Sequence, residues 1–272
     1  MSTASIQLFG IPFDAKSTHL RGPAQAPQKI RETLNNGSGN WFSECGRDLQ
    51  EPGLWNDTGD LPLTDDWDDA SSQIRQRAAD VVQAGAKFLA LGGDHSVSFP
   101  LIEAVATHCE SSRQEPLTIV HLDAHPDLYD NFEGDKFAHA CPFARVMESF
   151  PRTRLIQIGI RTATQHQREQ MERFGVECFP AAQWNIDQLP QPSGAVYLSL
   201  DMDVFDPAYA PGVSHHEPGG LSTRDALQII ARLQGQLISA DLVEFNPSRD
   251  PVEITAAAAA KLTKEMLVAL LA

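Results

Sequence analysis

Thr118-Ile119-Val120-His121-Leu122-Asp123-Ala124-His125-Pro126-Asp127 decides how this chain is read. The apolar run at its start predicts a buried strand. Along a strand, alternate residues share a side, so Asp123, His125 and Asp127 are expected to converge at the strand's C-terminal end. Carboxylates and an imidazole crowded together desolvate and repel one another unless a cation sits between them. The segment therefore predicts a metal site at the end of a buried strand.

Outward from this segment, strand-like and helix-like stretches alternate. Strands are expected at 6–11, 87–91, 155–160, 195–200 and 237–243. Helices are expected near 27–34, 67–84, 97–107, 141–149, 165–174 and 223–233, with a last one running through Leu271. The run Ala256 to Ala260 belongs in that last helix, since alanine is the strongest helix former. The stretch 35–62, rich in Gly, Asn and Asp, is expected to be irregular surface. This alternation predicts an α/β fold, a parallel sheet between helical layers. In such sheets the site lies outside the C-terminal ends of the strands.

Two further polar motifs also sit where apolar runs stop. Asp201-Met202-Asp203-Val204-Phe205-Asp206-Pro207 follows Val196-Tyr197-Leu198-Ser199-Leu200, and Asp201 and Asp203 are expected to share a face. His95 leaves a strand in Gly92-Gly93-Asp94-His95-Ser96, where paired glycines allow close backbone approach. His95, Asp123, His125, Asp127, Asp201 and Asp203 exceed what one tetrahedral zinc takes, but suit two ions sharing carboxylates. Oxygen-rich ligation with two histidines favours manganese, with iron, cobalt or nickel also accommodated. A metal pair about 3.5–4 Å apart makes hydroxide near neutral pH. Taken singly, an Asp at a strand end is more often a turn former or helix cap than a ligand, and a lone histidine is more often capping or buried. Together the bland reading needs six coincidences at strand ends.

Composition narrows the function classes. The net charge of −15 over 272 residues argues against nucleic-acid or anionic-membrane partners, which require basic patches. Cys45, Cys109, Cys141 and Cys178 are widely spaced without a CxxC pair, as in a reduced cytosolic protein. Met1 to Ser5 lack the layout of a signal peptide, and no apolar run is long enough to span a bilayer. A cytoplasmic location is expected.

The three motifs around His95, Asp123 and Asp201 resemble the signature motifs of the ureohydrolases, the family of arginase, agmatinase and related guanidino hydrolases. The likeness runs from about Ile6 to the C-terminus, so residues 1–272 are expected to form a single ureohydrolase domain. It implies a three-layer α/β/α sandwich with a largely parallel eight-stranded sheet and a centre of two Mn2+ ions. One ion would take His95, Asp123, Asp127 and Asp201. The other would take His125, Asp123, Asp201 and Asp203. The implied reaction is attack of hydroxide on a guanidinium carbon, releasing urea and an amine. By the same likeness, Glu244 in Asp241-Leu242-Val243-Glu244 pairs with the guanidinium, and His139 in Phe137-Ala138-His139-Ala140 serves as proton shuttle. His139, Glu244 and Asp127 are thus the expected catalytic residues. Glu244, His139 and His215 are the expected substrate contacts, and Asp94 and Asp241 are expected to hold ligands from behind. The family commonly forms trimers or hexamers, which implies a homo-oligomer.

Within the family, 127–141 and 210–220 resemble the branch of plant arginases and similar microbial agmatinase-like enzymes. His215 stands where animal arginases and many agmatinases have threonine. Thr162-Ala163-Thr164 lacks the acid with which animal arginases hold an α-amino group, and Asp135 and Ala138 replace polar residues common in the plant branch. These departures favour a decarboxylated small cationic substrate, agmatine cleaved to putrescine. The alternatives are L-arginine cleaved to ornithine, or another guanidino compound such as guanidinobutyrate. A one-metal amide hydrolase would use fewer carboxylates. An inactive regulatory homologue would be expected to lack a ligand, and none is missing.

Overall fold

A computed structural model of the chain describes residues 6–113 and 115–272. The stretch Met1–Ser5, read above for a leader, lies outside the described residues. Eight strands form one sheet: β1 (Ile6–Gly10), β2 (Trp55–Asp60), β3 (Lys87–Leu91), β4 (Thr118–Leu122), β5 (Arg154–Ile158), β6 (Glu177–Phe179), β7 (Val196–Asp201) and β8 (Leu237–Val243). Their order is β2-β1-β3-β8-β7-β4-β5-β6, and every pairing is parallel.

The central strands are apolar on both faces because both are covered. On one face Phe9, Phe88, Ala90, Ile119 and Tyr197 pack with α2 (Trp67–Gln83), α3 (Ser98–His108) and α4 (Pro142–Ser149). On the other, Leu8, Leu89, Leu91, Val120 and Leu198 pack with α1 (Ala26–Asn35), α6 (Thr223–Arg232) and α7 (Ile254–Leu271). The remaining helix, α5 (Gln165–Phe174), starts at a Thr164–Gln167 capping box and stops at the left-handed Gly175. No helix among the described residues is long and apolar enough to cross a membrane.

Two strands escape the sequence reading. β2 lies inside the stretch expected to be irregular. It is the sheet's outer strand, and Trp-Asn-Asp-Thr-Gly-Asp carries no apolar alternation because almost all of it is exposed. β6, at the opposite edge, has three half-buried residues and no readable period.

Four strands that neighbour one another, β3, β8, β7 and β4, end together. His95, Glu244, Asp201 and Asp123 leave them within a few residues of one rim. The rim is closed by backbone: Gly92 N donates to Leu242 O (2.8 Å), and Glu244 N donates to Gly93 O (2.8 Å). Gly93 lies directly under the chain leaving β1. A Cβ there would come within 1.8 Å of Phe13 O and 2.7 Å of Phe13 C. Gly93→Ala is therefore expected to destabilise the fold by about 2–3 kcal/mol, since backbone must move. Gly85→Ala, at φ +74 with nothing nearby, should cost only about 1 kcal/mol. Equal effects in denaturant unfolding would contradict this account of Gly93.

Candidate metal centre

Three of the gathered carboxylates, Asp123, Asp201 and Asp203, share one construction: one oxygen accepts from a backbone N–H while the other points inward. Asp123 Oδ1 accepts from His125 N (2.6 Å), Asp201 Oδ1 from Asp203 N (2.7 Å), and Asp203 Oδ1 from Ala124 N (3.1 Å). The remaining oxygens, and Asp123 Oδ1 as well, lie near histidine nitrogens. His95 Nδ1 lies 3.2 Å from Asp123 Oδ2, 3.0 Å from Asp127 Oδ2 and 3.1 Å from Asp201 Oδ2. His125 Nδ1 lies 3.0 Å from Asp203 Oδ2 and 3.4 Å from Asp123 Oδ1. All six residues inferred from the sequence thus meet at one place.

The route differs from strand alternation. β4 ends at Leu122, so Asp123, His125 and Asp127 lie on a turn, with Asp127 at the left-handed φ of 51°. Asp201 closes β7, and Asp203 sits in the 3₁₀ turn after it. Arg161 clamps that turn, donating to the carbonyls of Asp203 (2.6 Å), Val204 (3.1 Å) and Phe205 (3.2 Å).

His95 Nδ1 is buried and, despite its three neighbours, has no hydrogen bond of sound geometry. Its other nitrogen is accounted for. Ser199 Oγ donates to Asp241 Oδ1 (2.7 Å), so it accepts from His95 Nε2–H (3.0 Å), which turns the Nδ1 lone pair inward. Tyr197 donates to the second Asp241 oxygen (2.6 Å). Asp241 therefore stands behind His95, through Ser199. Burial alone would lower the His95 pKa, but Asp123, Asp127 and Asp201 outweigh it and raise it well above the usual value. Burial, with the charges of Asp203 and Asp123, drives Asp201 well up. Burial and Asp123 lift Asp203 to about 6. Such a field calls for positive charge. Two groups with metal-ligating spacing, His95-His121-Asp123 and Asp123-His125-Asp203, share Asp123. The donors fit a pair of divalent cations.

His121 was not singled out from the sequence. Gln157 Nε2 donates to its Nδ1 (3.1 Å), so His121 Nε2–H donates to Asp123 Oδ2 (2.8 Å). The one available signal was its place two residues before Asp123 on the same strand face.

A cavity of about 190 Å³ opens beside the cluster. It is lined by Asp127, His139, His215 and Glu244 together with Thr18, Tyr129, Phe132, Thr162, Thr164 and Gln167. Glu244, at φ 62°, takes His95 N (2.9 Å) and His139 Nδ1 (3.0 Å) on Oε1. Burial opposes charge on His139, but Glu244 prevails and raises it to about 9. His215 stacks on His139 at 5.4 Å and meets His125 edge-on at 6.0 Å; burial holds its pKa down. Asp94 lies behind Glu244, accepting from Lys16 N (2.9 Å) and Ser96 N (3.1 Å).

Such a sheet, with this cluster on its rim, defines a parallel α/β protein with a candidate two-metal centre. The sequence model of the arginase family matches residues 4–269, and the chain belongs to that family. It is a ureohydrolase, acting on amidine C–N bonds. Arginase 1, mitochondrial, of Arabidopsis thaliana is 44% identical over 97% of this chain and 80% of its own length. An agmatinase of Bacillus anthracis is 31% identical over 97% and 91%. Among solved structures, arginase from Medicago truncatula superposes with a TM-score of 0.90 at 39% identity, covering 98% of this chain and 88% of that one.

Two measurements check the geometry. Asp201→Ala or Asp123→Ala is expected to lower bound manganese from about two ions per chain to one or none; unchanged metal content would contradict the cluster. For the His139–Glu244 pair, a folded pKa of about 9 lies above the ordinary 6.5. Its contribution is then complete below pH 6.5 and lost as pH rises through 9. His139→Gln should cost roughly 1–3 kcal/mol near pH 6, and the difference from wild type should shrink by pH 9.5. A difference independent of pH would contradict the pairing.

Proposed function

We propose that this chain is an arginase, cleaving L-arginine to ornithine and urea. The carrying observation is the pocket rim. Thr162, Thr164 and Gln167 line it where α5 begins. The capping box uses the Thr164 hydroxyl and the Gln167 amide oxygen. The Thr162 hydroxyl and the Gln167 amide nitrogen, which it does not use, suit a carboxylate, a group that arginine has and agmatine lacks. The missing acid in Thr162-Ala163-Thr164, read above as a loss of amino-acid recognition, leaves that carboxylate contact intact. Higher identity to the plant arginase than to the agmatinase supports the same choice. Agmatine remains the second reading because the rim lacks that acid for an α-ammonium.

In this reading His95, Asp123, His125, Asp127, Asp201 and Asp203 would hold two Mn2+ ions. Bound there, the pair would supply a deprotonated water at neutral pH and a Lewis-acid field. Glu244, ionised and fixed by His95 N and His139, orients the guanidinium by charge-assisted hydrogen bonds. His139 keeps a proton at neutral pH and gives it to the departing amine nitrogen. His215, stacked on His139, narrows the passage along which the substrate's chain enters. Cys45, Cys141 and Cys178 are unbridged thiols, which suits the cytoplasm we propose as its compartment; the Arabidopsis relative is named mitochondrial.

Urea release by manganese-loaded protein, offered arginine, agmatine and guanidinobutyrate in parallel, tests this reading. Arginine is expected to exceed the others at least tenfold in kcat/KM. A higher value for agmatine or guanidinobutyrate would overturn the arginase assignment.

A further inference from the structure

The loop 14–21 crosses the mouth of the cavity and is pinned on every side. Asp14 accepts from Arg21 Nε (2.7 Å), Gly22 N (2.7 Å) and Ala24 N (3.2 Å). Asp94, fully buried below, accepts from Lys16 N. Ser214 Oγ donates to Leu20 O (3.2 Å). On the far side Lys16 Nζ pairs with Asp135 (2.6 Å), and His139 N donates to Lys16 O (3.2 Å). Thr18 stands between these anchors, and its Oγ1 lies 2.9 Å from His139 Nε2.

We infer that Thr18 is a positioning residue for the proton-carrying imidazole: its hydroxyl accepts from His139 Nε2–H while Glu244 accepts from Nδ1–H, so the ring is held from both ends by groups of independent elements. The inference rests on the role assigned to His139 above. An imidazole anchored at one nitrogen swings about that bond, whereas one anchored at both keeps a single orientation. With substrate in place, Nδ1–H stays on Glu244 and Nε2–H is the proton His139 gives, passing from Thr18 Oγ1 to the leaving nitrogen. Because Thr18 is exposed at the cavity mouth, its hydroxyl also stands between His139 and solvent. The anchors explain the rigidity this requires. Lys16, which precedes Thr18 by two residues, is fixed by its backbone N–H, its carbonyl and its ammonium. Asp94 therefore acts at one remove, through the loop rather than on the substrate.

Thr18→Val removes the hydroxyl at constant shape, and Thr18→Ser keeps it. With whichever guanidino compound the wild type turns over, Thr18→Val should lose roughly tenfold in kcat with KM within about twofold and unchanged manganese content. Its alkaline limb should move to lower pH, because an acceptor for the imidazolium is gone. Thr18→Ser should restore both. Solvent exchange of the His139 Nε2–H proton, followed by NMR, gives a readout that needs no turnover. Exchange should be at least tenfold faster in Thr18→Val than in wild type or Thr18→Ser. Equal exchange in the three proteins, or wild-type kcat and pH profile in Thr18→Val, would overturn the inference. If the wild type released no urea at all, the proposed function would fall and the exchange result would still decide the role of Thr18.

Discussion

Buried like charge is the constraint on which the rest of this structure depends. Asp123, Asp127, Asp201 and Asp203 are all less than a tenth exposed and surround two imidazoles. Four carboxylates in such a place cannot all ionise without compensating charge. Backbone N–H groups satisfy one oxygen of Asp123, of Asp201 and of Asp203. That fixes the direction of the other oxygens and leaves their charge to a ligand. Neighbouring groups supply the rest of the frame. Asp241, Ser199 and Tyr197 orient His95, His121 and Gln157 support Asp123, and Arg161 secures the turn carrying Asp203.

A parallel sheet is suited to holding such a cluster. Four neighbouring strands end on one rim, and the residues of the cluster lie at or just beyond those strand ends. Two of these rim segments carry non-glycine residues at positive φ, Asp127 at 51° and Glu244 at 62°. Strain of that kind persists only where surrounding contacts over-determine it. Here each strained residue projects a carboxylate into the pocket wall, one toward His95 and one toward His139.

The site was more legible in the sequence than its surroundings. Asp123, His125, Asp201 and His95 announce themselves because polar residues abruptly follow apolar runs, and that break survives any error in local geometry. The geometry itself was misjudged. Alternation along a strand would also bring Asp123 and Asp127 to one side, but the chain reaches that result through a turn. Edge strands β2 and β6 left no trace, since they lack the two-sided burial that makes the centre of the sheet apolar. Thr18 and Arg161 were illegible for another reason. Their importance comes from residues more than forty positions away, and nothing in their own neighbourhood signals it. The substrate was the hardest reading, because absence of an acid near Thr162 says little until the rim is seen to lie at the start of α5.

The central claim is that the carboxylate cluster exists to hold two cations together. Anomalous scattering at the manganese edge, from crystals of the manganese-loaded protein, tests it most directly. The account predicts two peaks about 3.5–4 Å apart, one beside His95 Nδ1 and the other beside His125 Nδ1. A single peak, or ions bound away from Asp123 and Asp201, would contradict it.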